Sequence, residues 1–97
     1  MDIEEKVSEL KLTAPRVTID RINEVIKSVE YHVFDDSCLT ICCLTLENGY
    51  NVTGESACVS KENFNKQLGE EIAYGNAFNK IWGLEGYLLK QSLFELE

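Results

Sequence analysis

The chain has little of what most enzymes and nucleic-acid-binding proteins depend on. Its 97 residues include one histidine, one proline and one tryptophan, and nine basic residues stand against 17 acidic ones, for a net charge of −8. Binding to DNA or RNA through the phosphate backbone needs a basic surface, so the charge argues against that class. No apolar run approaches the roughly 18 residues of a membrane helix, and no signal-peptide pattern is present. We therefore expect a cytoplasmic protein that binds neither membranes nor nucleic acids.

The scarcity of histidine also limits the available chemistry. A serine or cysteine nucleophile needs a nearby base, and His32 lies alone in a strand-like run. The spacing of the four cysteines, Cys38, Cys42, Cys43 and Cys58, fits no zinc pattern, so we expect reduced thiols that pack as small hydrophobic side chains. No glycine-rich phosphate loop is present. These absences predict a protein without catalytic residues, metal site or cofactor, and hence not an enzyme.

The length is enough for a single domain spanning residues 1–97. Ile3, Val7 and Leu10 recur at helical spacing within residues 1–12, which predicts a short amphipathic arm that ends before Pro15. Because so small a domain has little core of its own, we expect a homo-oligomer, a dimer or larger.

A β-hairpin is the clearest structural signal. Residues 39–59 form two β-type runs joined by Asn48-Gly49, a pair typical of a two-residue hairpin turn. Such a turn would place Thr45 opposite Val52. The first run carries apolar residues on both faces, which predicts cover on both sides by helices or by a second subunit. Residues 31–34 are predicted to form a further strand.

Helices are predicted on either side of the hairpin. Thr18 is a suitable N-cap for a helix from Ile19 to Glu30, and Ser60 can cap a helical region that runs from about Asn63 to Leu93. Gly83 follows Trp82 within this region, so we expect a kink or break there. The sequence therefore predicts an α+β fold: a small antiparallel sheet centred on the hairpin, packed with an N-terminal helix and a long, broken C-terminal helical region.

A polar cluster, Thr53-Gly54-Glu55-Ser56, stands in the second run of the hairpin, where a strand normally continues with apolar residues. Its hydroxyls and carboxylate suit hydrogen bonds to a ligand, and nearby aromatic rings suit stacking. The alternative is that Thr53 and Ser56 bridge an irregular strand and that the aromatic residues belong to the core. The predicted ligand-binding residues are Arg16, Tyr50, Thr53, Glu55, Ser56 and Lys80, with Arg16 or Lys80 meeting a phosphate.

Several separated motifs of the chain resemble, in the same order, those of a family of short proteins encoded by tailed bacteriophages and prophages. Most members of that family are uncharacterised. The resemblance covers about residues 13–93. The segments that carry it are Ala14–Thr18, Leu39–Cys42, Asn48–Tyr50, Thr53–Val59, Asn63-Phe64, Ile72-Ala73 and Lys80–Leu89.

The hairpin and the segment from Lys80 to Tyr87 are also similar to Thoeris anti-defence proteins of the first described kind. This second resemblance implies a phage sponge that binds cyclic ADP-ribose isomers or cyclic dinucleotides without degrading them, between the subunits of an oligomer. Two other hypotheses remain open: an acidic phage protein that inhibits a host protein by direct contact, and a DNA-related accessory factor, which the charge makes the weakest.

Overall fold

The computed structural model describes residues 14–97, so the predicted arm over residues 1–12 lies outside the described part. The chain forms helix α1 (Ile19–Val25), strands β1 (Ile26–Val33), β2 (Leu39–Leu46) and β3 (Asn51–Ala57), a short 3-10 turn (Lys61–Asn63) and helix α2 (Lys66–Glu95). The strands make an antiparallel sheet in the order β1-β2-β3. The predicted α+β class is confirmed.

The first helix is shorter than predicted. Thr18 caps it as expected, because its Oγ1 accepts a hydrogen bond from the Arg21 amide at 3.2 Å. The expected continuation to Glu30 is wrong, since the chain enters β1 at Ile26 and pairs with β2 as far as Val33. Branched and aromatic side chains dominate the second half of this segment, and its tertiary pairing overrides the helical periodicity. The predicted strand over residues 31–34 overlaps the end of this longer strand, which stops at Val33.

The hairpin turns at Asn48-Gly49 as predicted, but its register differs by one residue. Thr45 faces Asn51, and Val52 faces Leu44 instead of Thr45. The reason is a loop of three residues in which Gly49 adopts a φ of 89° and donates its amide to the Leu46 carbonyl. Asn-Gly alone suggests a two-residue loop, whereas a turn that ends in a single left-handed glycine forms a loop of three residues.

Helix α2 lies across β2 and β3 and builds the core with them. Ala73, Ala77 and Ile81 are fully buried on this side of the helix. Gly54 lies beneath the helix, and a Cβ atom there would overlap the backbone of Ala73 and Ala77. Glycine in β3 therefore allows the helix to approach the strand closely. The remaining core residues are Ile22, Val25, Cys42, Leu44, Leu46 and Val52.

Two expectations about α2 are wrong. Asn65, not Ser60, is its N-cap, and the Asn65 Oδ1 accepts from the Leu68 amide at 2.9 Å, while Ser60 precedes the 3-10 turn. The helix also runs unbroken through Gly83, because one exposed glycine lowers helix stability by only about 1 kcal/mol and the flanking turns are packed. Within residues 14–97, α2 covers one face of the sheet, and the other face carries half-buried Ile41 and Cys43.

Candidate binding groove

The tip of the β2–β3 hairpin and the middle of α2 enclose a groove, which we call the hairpin groove. Its upper part has a volume of about 270 Å³ and is lined by Tyr50, Asn51, Val52, Thr53, Lys80 and Leu84. A lower part of about 240 Å³ shares Tyr50 and Leu84 and adds Tyr87 and Leu88. The two parts adjoin, so the groove has a polar end at Lys80 and an apolar end at Leu88.

The loop geometry places Tyr50 at the centre of this groove. Gly49 turns the chain, and the Asn48 Oδ1 accepts a hydrogen bond from the Tyr50 amide at 3.0 Å. The Tyr50 side chain stays 59% exposed, and Tyr87 on α2 is 75% exposed. Two accessible rings therefore line the same depression, which suits stacking on a planar ligand.

The polar end of the groove combines one cation with short polar side chains. Lys80 comes from α2, and Thr53 comes from the exposed face of β3. Asn51 is tied to the sheet, because its Nδ2 donates to the Thr45 Oγ1 at 2.9 Å. An ammonium group beside a hydroxyl is an arrangement that receives a phosphate or carboxylate, with the lysine acting as a point charge.

An ion-pair network beside the lower part of the groove was not foreseen from the sequence. The Arg21 Nε donates to the Glu85 Oε1 at 2.7 Å, and its Nη2 donates to the Glu47 Oε1 at 2.9 Å. The hydrogen bond that Arg21 donates to Glu85 raises the pKa of Arg21, burial lowers it, and the hydrogen bond to Glu47 raises it further. The charge of Glu85, which lines the lower part of the groove, is thus compensated. Arg21 and Glu85 are 64 positions apart, so no local pattern in the sequence predicts their contact.

The six predicted site residues are only partly brought together. Tyr50, Thr53 and Lys80 share the upper part of the hairpin groove. Arg16 lines a separate depression of about 270 Å³ with Val17 and Leu89, which meets the groove only through Glu85 and Leu88.

Ser56 and Glu55 point to opposite faces of β3. Ser56 pairs with buried Thr40 on the helix side and lines a depression of about 100 Å³ with Cys58 and Phe64 at the start of α2. Glu55 lies exposed on the other face, and its backbone carbonyl accepts from the Asn76 Nδ2 at 2.8 Å. Successive residues of a strand face opposite sides, and Glu55, although on the same face as Thr53, does not line the hairpin groove. The polar cluster is therefore not one site.

The other aromatic and cysteine side chains considered as candidates do not line the hairpin groove. Tyr74 and Trp82, two aromatic residues of α2, pack against the core. Burial raises the pKa of the Cys42 thiol, and a hydrogen bond with Cys58 raises that of Cys38. Among residues 14–97, no group of three or more His, Cys, Asp or Glu side chains is arranged to hold a metal ion.

The comparison with protein families decides the relationship. Residues 17–93 match the model described as the phage protein (N4 Gp49/phage Sf6 gene 66) family. The chain belongs to this family. No curated protein and no solved structure matches it. Membership of the N4 Gp49/Sf6 gene 66 family makes it a phage protein, and nothing in the family match points to catalysis. The relation to Thoeris anti-defence proteins stays a prediction.

The family match spans both walls of the hairpin groove, since it includes the hairpin and most of α2. In the part of the chain that the structure describes, no helix has the length and apolar character needed to cross a membrane.

Proposed function

We propose that this member of the phage family is a non-catalytic binding protein that sequesters a cyclic nucleotide signal in the host cytoplasm. A cyclic ADP-ribose isomer or a cyclic dinucleotide is the ligand class, and its removal would block a host anti-phage defence. The observation that carries the proposal is the convergence of Lys80, Thr53 and the exposed Tyr50 ring in the hairpin groove.

The chemistry of the groove matches the parts of a nucleotide. Lys80 and Thr53 at the polar end suit a phosphate, because an ammonium–phosphate hydrogen bond contributes roughly 1.5–3 kcal/mol. Tyr50 and Tyr87 supply faces for a base, and stacking on an aromatic ring contributes about 1–3 kcal/mol. The two parts of the groove, about 270 and 240 Å³, lie together in the range of small-molecule sites.

The overall charge bears on how such a ligand would bind. A net charge of −8 repels an anion at long range, so recognition rests on the local cation. The pairing of Glu85 with Arg21 removes one opposing charge from the lower part of the groove. We therefore expect the affinity to depend strongly on Lys80.

The test is retention of an intact ligand. The purified protein is incubated with a panel of cyclic ADP-ribose isomers and cyclic dinucleotides, washed and denatured by heat, and the released compounds are identified. Unaltered release of one species is expected. Chemical alteration of the ligand would indicate an enzyme, and no retention of any species would refute the proposal.

Calorimetry with variants then tests the location of the site. Lys80→Ala should weaken binding about ten- to a hundredfold, and Tyr50→Ala about tenfold or more. Lys90→Ala is the matched control, because Lys90 is an exposed lysine of the same helix outside the groove. Arg16→Ala and Ser56→Ala complete the set of predicted residues. Losses at these two with none at Lys80 would move the site to their depressions.

A second candidate function is inhibition of a host protein by direct contact. It is favoured by the apolar surface along the second half of α2, where Leu84 is 40% exposed, Leu88 56% and Phe94 62%. A Phe94→Ser variant tests this function, because Phe94 lies outside the hairpin groove. Under the inhibitor hypothesis it loses protection of the phage while the folded state persists; under the nucleotide hypothesis a Lys80→Ala protein loses it instead.

A further inference from the structure

The two edges of the sheet differ in how they are protected. Both β1 and β3 are edge strands. Helix α2 packs along β3, and the Asn76 side chain occupies the outward-facing carbonyl of Glu55. No comparable bond to β1 is found within residues 14–97. An unprotected edge presents a row of backbone donors and acceptors to which another strand can pair.

The hydrogen-bond pattern identifies the groups at the free edge. Leu46 donates to the Tyr50 carbonyl, so the even-numbered residues of β2 bond to β3 and the odd-numbered ones bond to β1. In β1, the partners of those odd-numbered residues are Ser28, Glu30 and His32. The amide and carbonyl groups of the residues between them point away from the sheet. These residues are Val29, Tyr31 and Val33.

The side chains of the same three residues lie on the face that α2 occupies. Val29 faces buried Leu44 across the strands, and Tyr31 faces buried Cys42. Helix α2 packs mainly on β2 and β3, so Val29 and Tyr31 each remain 39% exposed. Burial beside α2 raises the pKa of the Tyr31 hydroxyl, with smaller contributions from neighbouring groups. An apolar shelf thus adjoins the free backbone edge.

We propose that a second copy of this chain adds to β1 edge to edge, with a two-fold axis at Tyr31, to make a continuous six-stranded antiparallel sheet. This register pairs Tyr31 with its own copy and Val29 with Val33 of the partner subunit, so all the outward backbone groups of these residues are bonded. On the open face it sets Glu30 opposite His32 of the partner subunit, twice. Moving the axis to Glu30 would instead oppose two carboxylates, which disfavours that register.

The exposed side chains of β1 fit a second copy of the same strand. Val29 and Tyr31 are each 39% exposed, and the register sets apolar side chains against apolar side chains on the α2 face. A second copy is the occupant that also sets each Glu30 carboxylate opposite a His32 imidazole, whose N–H can donate a hydrogen bond to it.

Sedimentation velocity of the full chain at about 10–50 µM tests the proposal, and a dimer is expected. Tyr31→Pro should give a monomer, because the Tyr31 amide points outward and its loss breaks no bond inside the protomer. His32→Glu opposes Glu30 of the partner and should weaken the dimer about tenfold. Adding Glu30→Lys to His32→Glu places opposite charges across the axis and should restore the dimer.

Glu55→Lys is the matched control, since Glu55 lies on the same face of the sheet but on the opposite edge strand. It should leave the dimer intact. Circular dichroism confirms that each variant is folded. A monomeric wild-type protein would overturn the proposal and leave the edge to a strand of another protein. A dimer that is indifferent to Tyr31→Pro and His32→Glu would also overturn it. Neither result would bear on the hairpin groove, which β1 does not line.

Discussion

Replacing Gly54 with alanine tests how closely α2 approaches the sheet. The new Cβ would lie 2.9 Å from the Ala77 Cα and nearer still to the Ala77 nitrogen and the Ala73 oxygen. All three are backbone atoms of a 30-residue helix, so no side-chain rotation relieves the overlap. The helix must move away from β3, or the strand must bend.

The size of the effect follows from overpacking. Inserting a methyl group into a packed core costs typically 1–3 kcal/mol, and the rigid backbone neighbours here place Gly54→Ala at about 3 kcal/mol. A domain of this length has a total stability of roughly 5–15 kcal/mol. Each kcal/mol shifts the Tm by roughly 4–8 °C, so a decrease of about 12 °C or more is expected.

Urea denaturation monitored by Trp82 fluorescence provides the measurement, since Trp82 is the single tryptophan and packs against the core. The matched control is Gly86→Ala in α2, where an added Cβ meets nothing within 4 Å. The same chemical change should there raise the free energy of unfolding by about 0.5–1 kcal/mol, because alanine is the better helix former. If Gly54→Ala unfolds at the wild-type urea concentration, the close approach of α2 is wrong.

Three further outcomes are expected. Thr40→Val should raise the free energy of unfolding by about 1 kcal/mol in urea titrations, because the buried Thr40 Oγ1 has no hydrogen-bond partner within residues 14–97. Arg21→Ala should lower the free energy of unfolding by about 1 kcal/mol, a modest loss because the Arg21 side chain is 41% exposed. High salt should reduce the difference between this variant and the wild type. An unchanged free energy of unfolding would show that the ion-pair network contributes nothing. Burial raises the pKa of the Cys42 thiol, so this thiol should stay protonated at a pH of about 8.5, where exposed cysteines ionise. We therefore expect Cys42 to resist a thiol reagent, with labelling followed by mass spectrometry. Labelling at the rate of an unfolded control would contradict its burial.

Local signals in the sequence predicted which helices and strands form better than where each of them begins and ends. Thr18 as an N-cap and Asn48-Gly49 as a turn are short-range patterns, and both are confirmed. The boundary at Ile26 was missed because the helical spacing of Ile22, Val25 and Val29 continues past the point where pairing with β2 takes over. A period of 3.6 residues in a short segment does not distinguish these outcomes.

The candidate site was predictable only in part, for a related reason. Tyr50 and Thr53 belong to the hairpin, and Lys80 reaches them from α2 because glycine in β3 lets the helix settle there. Ser56 and Glu55 adjoin Thr53 in the sequence, but Ser56 faces the α2 side of the sheet and Glu55 does not line the groove. The ion pair between Arg21 and Glu85 joins distant segments and follows from the packing alone.

The length of the three-residue loop that ends at Gly49 determines which face of the sheet each side chain of β3 occupies. Losing one residue there while keeping a three-residue turn would shift the pairing of β3 with β2 by one residue. Such a shift would reverse the side-chain direction of every residue in β3. Gly54 would then face away from α2, and the larger Thr53 or Glu55 would lie beneath Ala73 and Ala77. Among phage relatives, we therefore expect length changes in this loop to occur in steps of two residues, with single-residue changes accompanied by a glycine displaced by one position in the strand.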